Sequence, residues 1–110
     1  MTTDNSEFQS LTLILREFAE SRDWGRFHTP KNLVMAASGE AGELAAEFQW
    51  LTAEESHREN LSREKLEAVA MEIADVQIYL LRLADILDID IPTSVRKKIE
   101  INRQRFPTSS

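Results

Sequence analysis

The stretch Gly39-Glu40-Ala41-Gly42-Glu43-Leu44-Ala45-Ala46-Glu47 decides how this chain is read, together with a later one, Glu72-Ile73-Ala74-Asp75. Helical residues three apart are neighbours, with Cβ atoms about 5–6 Å apart. Glu40 with Glu43, and Glu72 with Asp75, therefore each aim two carboxylates at one point. Leu33, Ala36, Leu44 and Leu51 fall on the same helical stripe as Glu40, Glu43 and Glu47. On the second segment Ala68, Val69, Val76, Tyr79, Leu83 and Ile86 flank Glu72 and Asp75. Acids on a solvated face would avoid an apolar stripe. These sit inside it.

If the two pairs face each other, like charges roughly 6 Å apart cost about 3 kcal/mol per pair at an effective dielectric near 20. Several such pairs exceed what a small domain can spare. A divalent cation relieves the repulsion, and an all-oxygen donor set suits Mg²⁺ or Mn²⁺ rather than zinc. The plainer reading is two unrelated acid pairs in local salt bridges. It accounts for one acid pair on an apolar stripe better than for two.

Length and composition narrow the rest. At 110 residues with only three Gly and three Pro, the chain reads as a single domain, 1–110, of long helices. Having no Cys, it can hold no disulfide framework or thiol chemistry. No run is long and apolar enough for a membrane span, and the polar N-terminus lacks a signal-peptide core, so a cytoplasmic location is expected. A net charge of −6 argues against a nucleic-acid polymer as partner, since such binding rests on Lys and Arg neutralising phosphates. A nucleotide that arrives with its own metal is not excluded.

Four helices are expected. The first runs from Ser6 to Arg22 on Phe8, Leu11, Leu15 and Phe18, after a frayed start over residues 1–5, with Asp4-x-x-Glu7 or Ser6-x-x-Gln9 as a capping pair. Gly25 stands at its C-terminal stop, within a connection that carries Trp24, Phe27 and His28. Those aromatics either plug the end of a bundle or stack on a planar base. Thr29-Pro30 starts the second helix, which reaches Leu51 and holds the first acid pair. Gly39 and Gly42 in its interior suggest that another backbone or a ligand comes close. Residues 52–61 read as a polar surface loop with a solvated His57. Ser62 caps a third helix that continues to Asp88, roughly 39 Å long. Its apolar coverage, widened by Leu66, Ile73, Ile78, Leu80, Leu81 and Leu87, exceeds what one copy can bury, so assembly is expected. Pro92 opens a fourth helix to Arg105, packing through Val95, Ile99 and Phe106. Its Lys98, Asn102 and Arg105 share a face, either answering the helix dipole or gripping phosphate oxygens. A short tail follows from Pro107.

The pattern Glu40-x-x-Glu43, then twenty-eight residues, then Glu72-x-x-Asp75 resembles the MazG-like all-α nucleoside triphosphate pyrophosphohydrolases. Within them it is most similar to the dCTP pyrophosphatase branch. That resemblance rests on Arg22-Asp23-Trp24, Phe27-His28, Pro30, Asn32-Leu33, Gly39-Glu40, Gly42-Glu43-Leu44, Phe48-Gln49-Trp50, Asp75-Val76, Ile78-Tyr79-Leu80 and Ile101-Asn102-Arg103. It extends from Phe8 to Pro107. Leu15 departs from the pattern, standing where animal members of the branch carry a histidine.

The resemblance implies an all-α, four-helix MazG-like bundle completed by oligomerisation, a tetramer built as a dimer of dimers, with pockets shared between copies. It implies Mg²⁺-dependent cleavage of a nucleoside triphosphate, dCTP or a related pyrimidine deoxynucleotide, to monophosphate and pyrophosphate. Carried over by position, Glu40, Glu43, Glu72 and Asp75 are the metal ligands, and Glu43 or Glu47 orients or deprotonates the water. Trp24, His28, Trp50 and Tyr79 frame base and sugar, while Lys98, Asn102 and Arg103 steady the triphosphate. The rival readings are a nucleotide sensor without turnover and a non-catalytic helical interaction module. A di-iron bundle fails because it needs two Glu-x-x-His pairs, and the chain offers only Glu54-x-x-His57, in the polar loop, while His28 follows Gly25 by three.

Overall fold

A computed structural model describes residues 3–108. Met1, Thr2, Ser109 and Ser110, which carry part of the expected frayed start and tail, lie outside the described residues. The elements are α1 (Thr3–Ser21), a 3₁₀ turn at Gly25–Phe27, α2 (Pro30–Ala46), a 3₁₀ turn at Arg58–Asn60, α3 (Arg63–Leu87) and α4 (Ile91–Arg105). No strand occurs among the described residues, and no helix there is long and apolar enough to cross a membrane.

The helix starts follow their sequence signals. Thr29 accepts from the Asn32 amide with Pro30 at the first turn, Ser62 accepts from Lys65, and Asp90 accepts from Thr93. Each side-chain oxygen satisfies a backbone donor that the helix cannot. α1 begins at Thr3, upstream of the expected Ser6, so Ser6 lies inside it rather than capping it.

The helix ends depart more. At the end of α1, the amides of Asp23 and Trp24 bond the carbonyls of Glu20 and Ala19, with Asp23 at φ 56°. At the end of α3, the amides of Asp88 and Ile89 bond Asp85 and Ala84, with Asp88 also at φ 56°. Both are Schellman stops with an aspartate in the left-handed position that glycine usually takes. Gly25 is not the stop; it opens the 3₁₀ turn with a negative φ.

α2 ends at Ala46, five residues short of the expected Leu51. Past it, the amides of Glu47, Phe48 and Leu51 bond carbonyls three residues back, the tighter 3₁₀ pattern. The Lys65 ammonium draws the chain aside there, donating to both the carbonyl and the side chain of Glu47. The loop that follows is ordered: Thr52 and Glu55 exchange amide and side-chain bonds at 2.9 and 3.1 Å, a capping box.

α2 and α3 form the main antiparallel pair, with His28, Glu40 and Glu47 facing Arg82, Glu72 and Lys65 in turn. α1 lies on α3, and α4 lies chiefly on α1. The buried apolar side chains among the described residues are few: Ala19, Leu33, Leu81 and Ala84. Val95, Ile99 and Phe106, expected to pack, remain exposed; α4 touches α1 only sparingly, and Phe8, Ile91, Pro92 and Val95 line an open cleft between them.

Candidate metal centre and flanking residues

Antiparallel pairing of α2 with α3 brings the two acidic stretches together at mid-height. Glu40, Glu72 and Asp75 each offer a carboxylate oxygen within 4.8 Å of the others. Glu43 is more exposed and stands outside this group. Its charge still reaches Glu72, whose carboxyl is pushed above the ordinary range, first by burial and then by Asp75, Glu43, Glu40 and Glu47. Three of the four acids singled out in the sequence thus lie together, and the charge of the fourth, Glu43, adds to the rise at Glu72. Glu72 carries a further mark: its Oε1 is buried and has no hydrogen-bond partner among the described residues. Such an oxygen is expensive to leave unmade. A hard divalent cation bound by oxygen fits this donor set.

Glu47, the other acid expected to handle the water, is paired with a lysine. Its side chain is held by Lys65 Nζ at 3.0 Å. Tyr79 is half-buried one turn beyond Asp75 on α3, on the side leading to His28. His28 is half-buried, and its Nδ1 accepts from Arg82 Nε at 3.2 Å. The ring lies 6.1 Å from that of Trp24, which meets Phe18 edge-on at 5.5 Å. Asn32 holds this connection in place by donating to the Phe27 carbonyl. His28 and Trp24 thus lie together before the start of α2, about 15 Å along the helix axis from Glu40.

Other residues expected at the site lie elsewhere in this chain. Trp50 is 87% exposed beyond the opposite end of α2, so it and Trp24 flank the acids from opposite sides. Lys98, Asn102 and Arg103 sit on α4, which packs on α1 rather than on the α2–α3 pair, and Arg103 bonds Glu100. Gly39 and Gly42 meet no close neighbour; a Cβ on either would enter open space.

An ionic chain running from the exposed Arg16 to the buried Arg82 was missed by the sequence reading. Arg82, only 6% exposed, donates to Asp85 at 3.2 Å, and Asp85 in turn accepts two bonds from Arg16, at 3.0 and 2.6 Å. The Arg16 hydrogen bond holds the Asp85 carboxyl below its ordinary range; burial opposes this, and the charges of Arg16 and Arg82 add to it. The signal was there: Arg82 stands seven residues after Asp75, on the same apolar stripe, where a charge is as conspicuous as the acids.

An all-α bundle whose central helix pair gathers carboxylates from two separate helices is the class defined here. A sequence profile of the MazG-like family matches residues 35–110, and the chain belongs to that family. It is similar to dCTP pyrophosphatase 1 of Homo sapiens, 46% identical over 91 residues, covering 83% of this chain and 54% of the human one. The Rattus norvegicus protein of the same name is 44% identical over the same shares. The chain spans about half the length of these curated relatives. A crystal structure of a pyrophosphatase from Archaeoglobus fulgidus superposes with a TM-score of 0.85 at 43% identity, covering 93% of this chain and 94% of that one.

Proposed function

We propose that this chain is a single-domain, Mg²⁺-dependent hydrolase, with Mn²⁺ able to substitute, that cleaves nucleoside triphosphates between the α and β phosphates. The observation that carries the reading is the meeting of Glu40, Glu72 and Asp75 around the unpartnered Oε1 of Glu72. A divalent cation held there supplies charge neutralisation for the phosphates and a lowered pKa for an attacking water. The chain's own residues do the rest. Glu43, exposed and felt electrostatically by Glu72, would take the proton from the water. Glu47, tied to Lys65, helps fix where α2 ends and so where Glu43 stands.

The names of the relatives point to dCTP or a related pyrimidine deoxynucleotide as substrate. Base and sugar would lie along Tyr79, His28 and Trp24, the triphosphate over the acids. Trp50, Lys98, Asn102 and Arg103 would reach such a nucleotide from a further copy of the chain. A tetramer built as a dimer of dimers, working on the cytoplasmic nucleotide pool with no nucleic-acid polymer as partner, fits this reading.

The test is pyrophosphate release from a panel of canonical and modified deoxynucleotides with Mg²⁺. Pyrophosphate and the matching monophosphate in equal amounts are expected, with pyrimidines preferred. Tight nucleotide binding with no product would make the chain a sensor instead.

A further inference from the structure

The contact between Arg82 and His28 lies outside the acid cluster, and it carries a consequence for which ring atom of His28 can meet a ligand. A guanidinium is always protonated and has no acceptor, so Arg82 Nε can only donate. His28 Nδ1, 3.2 Å away, must therefore offer its lone pair, and the ring's proton sits on Nε2. Nothing among the described residues bonds that Nε2. Arg82 itself cannot swing away freely. It is 6% exposed, and Asp85 grips it from the far side while Arg16 grips Asp85.

Resting on the nucleotide reading above, we propose that Arg82 is a positioning residue that fixes His28 as a neutral, one-directional donor through Nε2, aimed at a hydrogen-bond acceptor on the nucleotide's base, and thereby helps to select the base. The chemical class it selects is a base edge presenting a carbonyl oxygen or an unprotonated ring nitrogen. An edge presenting an N–H to the same point would leave two donors facing each other, which a buried site tolerates poorly. The electrostatics agree. Burial, and then the charge of Arg82, lower the His28 pKa, so the neutral ring persists below the pH at which a free histidine takes up its second proton. The charged groups around the ring are Arg82 and, behind it, Asp85 and Arg16.

Two measurements on the full chain test the two halves. In the parent protein, long-range ¹H–¹⁵N correlation of the imidazole at neutral pH should show a protonated Nε2 and a bare Nδ1 at His28. A proton on Nδ1 would overturn the proposal without any variant being needed. In Arg82→Met the tautomers should mix and the ring should titrate nearer its ordinary value of 6.5. Discrimination among deoxynucleotides should then fall by about tenfold, the worth of one hydrogen bond to a base, through KM more than kcat. Should Arg82→Met fold poorly, Asp85→Asn frees the guanidinium while leaving it present, and a smaller change of the same kind is expected. Unchanged discrimination in a variant whose tautomer has changed would remove the role in selection. If the parent turns over no nucleotide at all, the functional reading fails and the selection role with it, while the tautomer is still read independently.

Discussion

Glu72 is the residue on which the metal reading turns, because it is the acid whose oxygen is buried unpartnered and whose charge the other carboxylates oppose. Its removal should separate stability from function. Glu72→Gln takes away the most opposed charge, so the metal-free protein should melt several degrees higher than the parent, and turnover should be abolished. Glu43→Gln should also abolish turnover but move the metal-free melting temperature less, since Glu43 is exposed. Scanning calorimetry with and without Mg²⁺ reads both, and added Mg²⁺ should stabilise the parent but not Glu72→Gln. Equal shifts for the two variants would mean that the acids do not converge as drawn. That they lie on one stripe could be read from spacing alone. Which of them is buried could not, because spacing fixes a face and leaves depth to the partner helix.

At the scale of elements, the Arg16–Asp85–Arg82 chain fastens α1 to α3 and predicts a pH dependence of definite sign. The folded Asp85 carboxyl lies below its ordinary value of 3.8, so its contribution to stability is full above that pH and is lost as pH falls through the folded value. The melting-temperature gap between parent and Asp85→Asn should be constant near neutrality and close below that point. A gap that widens on acidification would contradict the clasp.

The helix stops make a second prediction. Asp88 holds a left-handed conformation that glycine adopts without strain, so Asp88→Gly should raise stability by about 0.5–1 kcal/mol in urea denaturation. The starts of α2 and α3 were legible from the caps Thr29 and Ser62 and that of α4 from Pro92, whereas the cap Asp90 was not read from the sequence. The stops were less legible. Aspartate at Asp23 and Asp88 is a weak signal for a left-handed stop, and the early end of α2 depends on Lys65, eighteen residues away from Glu47.

At the scale of the whole molecule, one copy is open for its mass. Its accessible surface is 8523 Å², against about 6,200 Å² for a compact monomer of this mass, and its radius of gyration is 16.9 Å against about 13 Å. The excess, about 2,300 Å² per copy, is surface that a second copy could cover. Val95, Ile99, Asn102 and Phe106 form one stripe along α4, with the three apolar members exposed and Asn102 among them. A second copy covering that stripe would bring Asn102, and Lys98 beside it, to acids that its own chain does not place within their reach. Light scattering should therefore report a multiple of 12.6 kDa, and Ile99→Glu should shift it toward the monomer with loss of turnover. In an isolated chain, the same exposed substitution would change stability by only about 0.5 kcal/mol. Sharing of the site is tested more directly by mixing. Glu72→Gln lacks a carboxylate and Lys98→Ala would lack the proposed phosphate contact, so each alone should be impaired, the second for all deoxynucleotides alike because the phosphates are common to them. If the site is built across copies, refolding the two variants together creates some sites with both residues intact. Activity should then recover to an appreciable fraction of the parent's, rising with the mixing ratio toward a maximum near equal amounts. If each site belongs to one chain, the mixture can only average the two residual activities, and α4 would have to reach the acids of its own chain by a rearrangement of the bundle.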